Sequence, residues 1–399
     1  MSAPGLWKLA PAVVTKPWGL VHQEALSATG IEVGLGEFWL ASAQTGVGNY
    51  SNAVVDPPLR RTLAELLSKA AARGDAALEA LIGRRAAAHL RETPHRGKTE
   101  AWCVRAVRGR TGVAAGPATA QDAERLRDLI LTEGLPPDVT AWSEEVQRLF
   151  GLIEPLQGGE VFLAPAGALH TMFAVGPDSR LVIDEIQQGY GEARLPTLSK
   201  ILCVQNDLLS VQVHPDDRTV ADAAAGRTAV AQDLQANPTV RVYDFGRRPG
   251  EDPELGFRLV EPDAGLRAVP PVTVRPADGL RIEALVADPH FARSRVFLDA
   301  AGRTTATPLC AGYHVLHCLE GKGRLTAAER TMPVRRGETV FVPACLEAEL
   351  RIEADADCAF FDDSFAPVES LVDLLTRNGA AADQVERLLA PPRAVIRAE

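Results

Sequence analysis

Cysteine is scarce and scattered in this 399-residue chain. Its six cysteines stand at positions 103, 203, 310, 318, 345 and 358, and none of them belongs to a CxxC pair. Closely spaced cysteine pairs are the usual sequence sign of a structural zinc site, so the spacing argues against such a site. Scattered cysteines favour reduced thiols, and we therefore expect a cytoplasmic protein.

Long apolar runs and long basic runs are also missing. No apolar stretch reaches the roughly 20 residues that a membrane-spanning helix needs, and residues 1–19 contain no apolar signal core. The formal net charge is −10 at pH 7. We expect neither a nucleic acid nor a membrane as the main partner, while an anionic small molecule would need a local group of Arg and Lys residues. The sequence leaves both a monomer and a homodimer open.

Short strands with Gly and Pro turns occur in two separate stretches of the chain. Between the strands, leucine and alanine recur at helical spacing in two insertions. This pattern predicts a mainly β protein with two jelly-roll β-barrels, inserted helices and a helical region. The predicted division is a first barrel at 1–262 with insertions at about 57–96 and 119–153, a linker at 263–279, a second barrel at 280–362 and helices at 363–399.

One predicted strand has an unusual polar face. In LLSVQVHPDD, residues 208–217, apolar residues alternate with Ser210, Gln212 and His214, and a proline then ends the strand. Gln212 and His214 are two residues apart, so they lie on the same face and could bind one ligand. The alternative is a half-buried strand whose Gln and His bond to their neighbours, because a single His is weak evidence for a metal site.

Two segments of the chain echo each other. QGGEVFLAPAGALH at 157–170 and RRGETVFVPACLEA at 335–348 both combine a Gly-acid turn, a strand and a Pro-Ala corner. The hairpin resembles one in the cupin jelly roll, where a metal-binding histidine follows the corner. His170 stands at that place in the first copy and Ala348 in the second. The resemblance implies a metal in the first barrel and a metal-free second barrel.

A candidate ligand set can be assembled for the first β region. Glu100, which follows a Gly turn in GKTEAWCV, joins Gln212, His214 and His170. Two imidazole nitrogens with carboxylate and amide oxygens suit zinc or another divalent ion that keeps an open coordination position. A catalytic ion needs such a position to polarise a substrate oxygen.

Over most of its length the chain resembles the type I phosphomannose isomerases of the cupin superfamily. The matching pieces are KPWG (16–19), GEFWLASA (36–43), RTLAELL (61–67), GKTEAW (97–102), GEVFLAPAGALHTM (159–172), LVIDEIQQ (181–188), LPTLSKILCVQNDLLSVQVHPDD (195–217) and TVRVYDFGR (239–247). In that family the Gln and His of QVHP, the Glu of KTE and the His after the Pro-Ala turn bind one zinc ion. The resemblance therefore implies the same four ligands, Gln212, His214, Glu100 and His170.

Two departures from the family pattern bear on this implication. The LPTLSK to VQVHPDD segment precedes the KTE strand in the family, whereas here it follows EIQQ. In addition, Asn237 stands where the family usually has an Asp, and an amide cannot act as a general base. An altered barrel with a distorted site is one alternative, but all four ligand types are present, which favours an intact metal site. The changed order and Asn237 also motivate a different sugar substrate as an alternative.

Three residues are candidates for the chemistry itself. We expect Arg241 of RVYDF to bind negative charge near the reacting carbons or the phosphate. Lys98 is expected to point into the barrel beside Glu100, and Glu185 of IDEIQQ is expected to act as the acid or base. Their alternatives are a surface Arg, a solvated turn Lys and a buried structural carboxylate paired with an Arg or Lys.

Lys200, Arg247 and Trp18 are further candidates for holding the substrate and its phosphate, with core packing as the default interpretation of Trp18. The resemblance implies a zinc-dependent isomerase that interconverts mannose 6-phosphate and fructose 6-phosphate. The alternatives are a metal-binding cupin that acts on another sugar or sugar phosphate, and a non-catalytic protein that binds a sugar phosphate. The ligand types alone do not separate zinc from other divalent ions.

Overall fold

The computed structural model describes residues 5–21, 34–43, 51–58, 61–92, 97–189, 195–225, 239–247, 251–262, 264–299, 312–365 and 368–389. These residues form a mainly β protein with inserted helices, which confirms the predicted fold class. The strands in chain order are β1 (Trp7–Leu9), β2 (Ala12–Val21), β3 (Gly34–Ala41), β4 (Val54–Asp56), β5 (Glu100–Gly116), β6 (Val161–Ala164), β7 (Leu169–Gln188), β8 (Thr197–Gln205), β9 (Asp207–Leu208), β10 (Val211–Val213), β11 (Val240–Tyr243), β12 (Arg267–Ala268), β13 (Val272–Ala277), β14 (Leu280–Asp288), β15 (Phe291–Leu298), β16 (His314–Glu320), β17 (Lys322–Ala327), β18 (Arg330–Arg335), β19 (Thr339–Val342), β20 (Arg351–Ala354) and β21 (Cys358–Ser364).

Helices occupy both predicted insertions and the C-terminal region. The first helix starts with a capping box, in which Thr62 accepts a hydrogen bond from the Glu65 backbone and the Glu65 side chain accepts one from the Thr62 backbone. No described helix is both long and apolar enough to cross a membrane. The helices are α1 (Leu63–Ala71), α2 (Asp75–Ile82), α3 (Arg84–Glu92), α4 (Ala120–Thr132), α5 (Glu144–Leu149), α6 (Asp217–Ala224), α7 (Pro253–Leu259), α8 (Val368–Arg377) and α9 (Ala382–Leu389).

The described strands form three sheets. The first sheet has the order β12-β6-β5-β7-β8-β3-β2, and β9, β10 and β11 join it beside β7. The second sheet has the order β13-β14-β15-β21-β16-β19-β1-β4, and the third has the order β18-β17-β20. β1 and β4, near the N-terminus, belong to the second sheet, where β1 pairs with both β19 and β4. The predicted domain boundaries stay a prediction.

The first sheet has two faces, and the side chains of its long paired strands β5 and β7 alternate between them. Trp102 and Val104 point to what we call the inner face, where they pack among the buried side chains of the first sheet. Ala101 and Cys103 alternate with them and point to the outer face, where they pack with buried side chains of the second sheet. Strand β5 therefore contributes side chains both to the core on the inner face and to the interface between the two sheets.

The segment LPTLSK to VQVHPDD lies along one edge of β7, and β5 occupies the other edge. Its first strand, β8, pairs antiparallel with the second half of β7, from Arg180 to Gln188. Its later strand, β10, meets the first half of β7 where Gln212 lies opposite His170. The new chain order thus still brings the QVHP strand beside the strand that carries His170.

Arg293 of the second sheet is buried against the outer face, with 1% of its surface exposed. Its guanidinium donates two hydrogen bonds to Asp363, at 2.6 and 2.7 Å, and one to the backbone oxygen of Asp184 at 2.8 Å. A longer bond of 3.3 Å reaches the backbone oxygen of Glu185, and Asp363 also accepts from Ser199 at 2.6 Å. This network ties the second sheet to β7 and β8.

Replacing Arg293 should destabilise the whole protein. Arg293→Met leaves the Asp363 carboxylate buried without its cation, so we expect the free energy of unfolding to fall by about 3–5 kcal/mol. Urea unfolding followed by circular dichroism measures this loss. Arg324→Met is the control, since Arg324 pairs with Glu353 at an exposed site and its loss should cost less than about 1 kcal/mol. Equal effects of the two changes would contradict the assigned role.

Candidate metal centre

Three potential metal ligands meet on the inner face of the first sheet. Glu100 begins β5, His170 is the second residue of β7, and His214 follows β10. Their ligand atoms all lie within 4.8 Å of one another, and each residue is no more than 2% exposed. The three residues lie at separate places in the chain, so strand pairing alone brings them together.

The hydrogen bonds of His170 prepare it to bind a cation. Its Nδ1 lies 2.9 Å from the backbone oxygen of Ala168, and because a carbonyl can only accept, Nδ1 carries the hydrogen. The lone pair is therefore on Nε2, which lies 3.8 Å from Glu100 Oε2 and has no hydrogen-bond partner among the described residues. A metal-binding histidine is usually fixed in this way by a bond to its other nitrogen.

Lys98 and Trp102 complete the surroundings of Glu100. Trp102 Nε1 donates to Glu100 Oε2 at 3.0 Å, and the Lys98 ammonium forms an ion pair with Glu100 Oε1. His214 Nε2 lies 3.1 Å from Glu100 Oε1 and 3.2 Å from Lys98 Nζ. Lys98, Glu100 and Trp102 alternate along one segment, which places all three side chains on the inner face, as expected for Lys98.

The protonation states suit a metal site. Burial opposes ionisation of Glu100, but the charge of Lys98 and the nearby His214 hold its pKa well below the usual value. Burial, assisted by the charge of Lys98, lowers the pKa of His214 to about 3. The pKa of His170 is also lowered, chiefly by burial. At neutral pH the set is therefore one carboxylate and two neutral imidazoles, the forms that bind a metal.

Gln212 lies where its side chain could provide a fourth ligand to a metal held by Glu100, His170 and His214. Its Cα is opposite that of His170 on one side and that of Arg241 on the other. Residues directly opposite in an antiparallel pair share a face, so the amide of Gln212 lies on the face of His170. Two imidazoles, a carboxylate and an amide oxygen fit a divalent cation and do not select one metal.

A second polar group lies beside these ligands on the inner face. Glu185 of β7 is opposite Lys200 of β8, and Lys200 Nζ is 3.1 Å from Glu185 Oε1. Burial and the charge of Glu100 raise the pKa of Glu185 to about 7, although the charge of Lys200 opposes the rise. Lys200 also lies 5.7 Å from the centre of the Trp39 ring. Glu185 is thus a carboxyl group that can exchange a proton near neutral pH.

The remaining predicted site residues have different surroundings. Arg241 is half-buried beside Gln212, and the structure shows no ion pair between its side chain and a described residue. Arg247 is neutralised by Asp207 at 3.0 Å and by Asp244 at 2.8 Å. Trp18 packs in the apolar core of the inner face. Asn237 lies outside the described residues.

Two inner-face residues were not singled out by sequence reasoning. Trp102 holds Glu100, and Gln187 lies opposite Glu100 on β7. Both follow a predicted site residue by two positions, Trp102 after Glu100 and Gln187 after Glu185. The alternation that paired Gln212 with His214 would have found them too.

Comparisons with known proteins relate the fold to one group of enzymes. No protein-family model matches the sequence, and no curated protein matches it. The mannose 6-phosphate isomerase from Bacillus subtilis matches with a TM-score of 0.53 and 16% identity, covering 90% of this chain and 99% of that chain. A zinc-bound mannose 6-phosphate isomerase matches with a TM-score of 0.53 and 13% identity over 90% and 99% of the two chains. At these identities the likeness shows a shared fold.

A similar likeness extends to a putative mannosephosphate isomerase from Archaeoglobus fulgidus. Its TM-score is 0.50 and its identity 14%, covering 92% of this chain and all of that chain. The fold therefore spans nearly the full length of these solved structures. The shared fold covers about nine-tenths of this chain.

Loss of one histidine should abolish tight metal binding. We expect His214→Ala to weaken zinc binding by more than about 100-fold, because even residues that only support a ligand contribute about 10–100-fold. Competition with a chromogenic chelator measures the affinity. His317→Ala is the matched control, since His317 is equally buried but lies on β16 and bonds to Thr339 at 3.0 Å. Full zinc affinity in His214→Ala would contradict the assigned centre.

Proposed function

We propose that this chain is a metal-dependent aldose–ketose isomerase of sugar phosphates, with mannose 6-phosphate and fructose 6-phosphate as its substrate pair. One observation carries the proposal. The inner face presents a buried ligand set, Glu100, His170 and His214, together with a carboxyl group, Glu185, whose pKa is raised to about 7. An isomerase of this type needs both a site that stabilises negative oxygen and a group that moves a proton between neighbouring carbons.

The metal would be held by Glu100, His170, His214 and the amide of Gln212. When bound, a divalent ion supplies a positive charge that polarises a substrate carbonyl and stabilises the negative oxygen that develops next to it. Lys98 adds a second positive charge at the same point, since its ammonium contacts Glu100 and His214. Burial excludes bulk water and strengthens both interactions.

Glu185 is the proposed base. In the open-chain aldose its carboxylate takes the proton from C2, the C2–H electron pair forms the C1–C2 double bond, and the C1 carbonyl becomes a negative oxygen. As the ketone forms, the C2 hydroxyl passes its proton to the negative C1 oxygen, and the electrons of that O–H bond form the C2 carbonyl. The electron pair of the C1–C2 double bond then takes the proton that the same carboxyl group returns to C1. Lys200, 3.1 Å from Glu185, stabilises the carboxylate before it takes the proton and after it returns it.

Arg241 is the best-supported anchor for the phosphate among the three predicted cations. It is half-buried, shares a face with Gln212, and has no ion pair with a described residue. Lys200 is paired with Glu185, and Arg247 is paired with two aspartates. A guanidinium fork also matches the geometry of a phosphate group.

A coupled assay for conversion of mannose 6-phosphate to fructose 6-phosphate tests the proposal. We expect turnover that is lost on chelation and restored when zinc or another divalent ion is added back. Protein that carries one metal ion per chain yet turns over no mannose 6-phosphate would contradict this substrate. Other sugar phosphates would then be tested, an alternative that Asn237 at the usual Asp position favours.

The pH profile should report Glu185. A carboxyl group accepts a proton only when it is ionised, so kcat/KM should fall as the pH drops below about 7 and level off above it. Glu185→Gln should lower kcat by about 100-fold or more, since proton transfer by a placed side chain contributes roughly 10²–10⁴-fold.

Asp184→Asn is the matched control for Glu185→Gln. Asp184 is the adjacent buried carboxylate, but it points to the outer face and pairs with Arg105 at 2.7 Å. This variant should lose stability and keep the wild-type pH profile. An unchanged kcat in Glu185→Gln would exclude Glu185 as the base.

A further inference from the structure

Gln187 is a buried amide with no hydrogen bond in the described structure. Its side chain is fully buried, at 0% exposure. Neither its Oε1 nor its Nε2 has a hydrogen-bond partner among the described residues. Buried side-chain amides are nearly always satisfied, because an unmade hydrogen bond costs folding free energy. The fold itself therefore gains nothing from a polar group at this position.

The strand register places Gln187 between the two functional groups of the inner face. On one side its Cα is opposite Glu100 of β5, and on the other it is opposite Leu198 of β8. Along its own strand it follows Glu185 by two residues and so shares its face. A ligand that touches both Glu100 and Glu185 would therefore lie next to this amide.

The chemistry of a carboxamide selects the kind of ligand group. The oxygen accepts hydrogen bonds and the nitrogen donates two, so an amide is satisfied by a group that can do both. A hydroxyl group donates and accepts. A phosphate or carboxylate would use only the nitrogen and would leave the amide oxygen without a donor.

We propose that Gln187 binds hydroxyl groups of the open-chain sugar substrate and so contributes to recognition of a polyhydroxylated ligand between Glu100 and Glu185. This inference rests on the proposed isomerase function. It assigns the residue a binding role and no part in proton transfer. A site built to hydrogen-bond a hydroxyl rejects ligands that lack it, because its own buried polar groups are then left unpaired.

Gln187→Met, which conserves volume, tests the proposal in the metal-loaded protein. The probe is sorbitol 6-phosphate, an acyclic polyol phosphate that has no carbonyl group and cannot react. We expect zinc stoichiometry to be unchanged, and the melting temperature without the probe to be unchanged or higher, since an unsatisfied polar group has been removed. The Kd for sorbitol 6-phosphate, measured by calorimetry, should rise by about 10-fold or more, and KM should rise with it while kcat changes less.

Gln188→Met is the matched control. Gln188 is the adjacent buried glutamine on the opposite face, and its Nε2 donates to Asp217 at 2.8 Å. Its replacement breaks a made hydrogen bond, so the melting temperature should fall while the Kd for the probe stays within about 2-fold. Gln187→Met should therefore weaken probe binding without loss of stability, whereas Gln188→Met should lower stability without weakening probe binding.

Four outcomes would overturn the inference, and they are distinguishable. A Gln187→Met protein with a lowered melting temperature and an unchanged Kd would make Gln187 a structural residue. Loss of zinc from that variant would make it part of the metal centre. If the wild-type protein carries metal but neither binds sorbitol 6-phosphate nor turns over mannose 6-phosphate, both the proposed function and this inference are wrong. If the wild-type protein turns over normally and Gln187→Met has no effect, only this inference is wrong.

Discussion

The burial of one ionised carboxylate, that of Glu100, governs the arrangement of the site. An isolated charge inside a protein is strongly unfavourable, so a buried carboxylate requires a cation and hydrogen-bond donors. Lys98 and Trp102 provide them from the same segment, and two neighbouring strands deliver His170 and His214. Satisfying this carboxylate thus gathers the groups that a divalent ion needs, and the same low-dielectric surroundings keep the two histidines neutral and able to bind it.

Strand β7 carries residues of the candidate site and also contacts the second sheet. On the inner face the strand carries His170, Glu185 and Gln187, while on the outer face its backbone accepts hydrogen bonds from Arg293 of the second sheet at residues 184 and 185. Arg293 is itself held by a buried carboxylate. The second sheet therefore stabilises the strand at the residue proposed to move the proton, although it contributes no described side chain to the candidate metal centre.

Sequence reasoning proposed the candidate ligands by residue type, by alternation and by the family resemblance, and it found the mainly β fold by turn spacing. It could not find the strand register, because pairing between distant segments depends on the whole hydrophobic pattern and on turn geometry. Hence the placement of this segment along the edge of β7 opposite β5 emerged only from the structure. Hydrogen-bond satisfaction is equally invisible in a sequence. Arg247 proved to be occupied by two aspartates, and Gln187 proved to have no bond among the described residues.

The charge of the inner face argues for an anionic ligand. The positive charges of Lys98 and Lys200 are matched by the carboxyl groups of Glu100 and Glu185, so the four side chains are close to neutral together when both carboxyl groups are ionised. A divalent ion, when bound, would add two positive charges that nothing in this group offsets, and Arg241 adds another nearby. The chain as a whole carries a net charge of −10 and repels anions at long range. A local excess of positive charge is what a sugar phosphate requires, both for its phosphate and for the negative oxygen that develops during isomerisation.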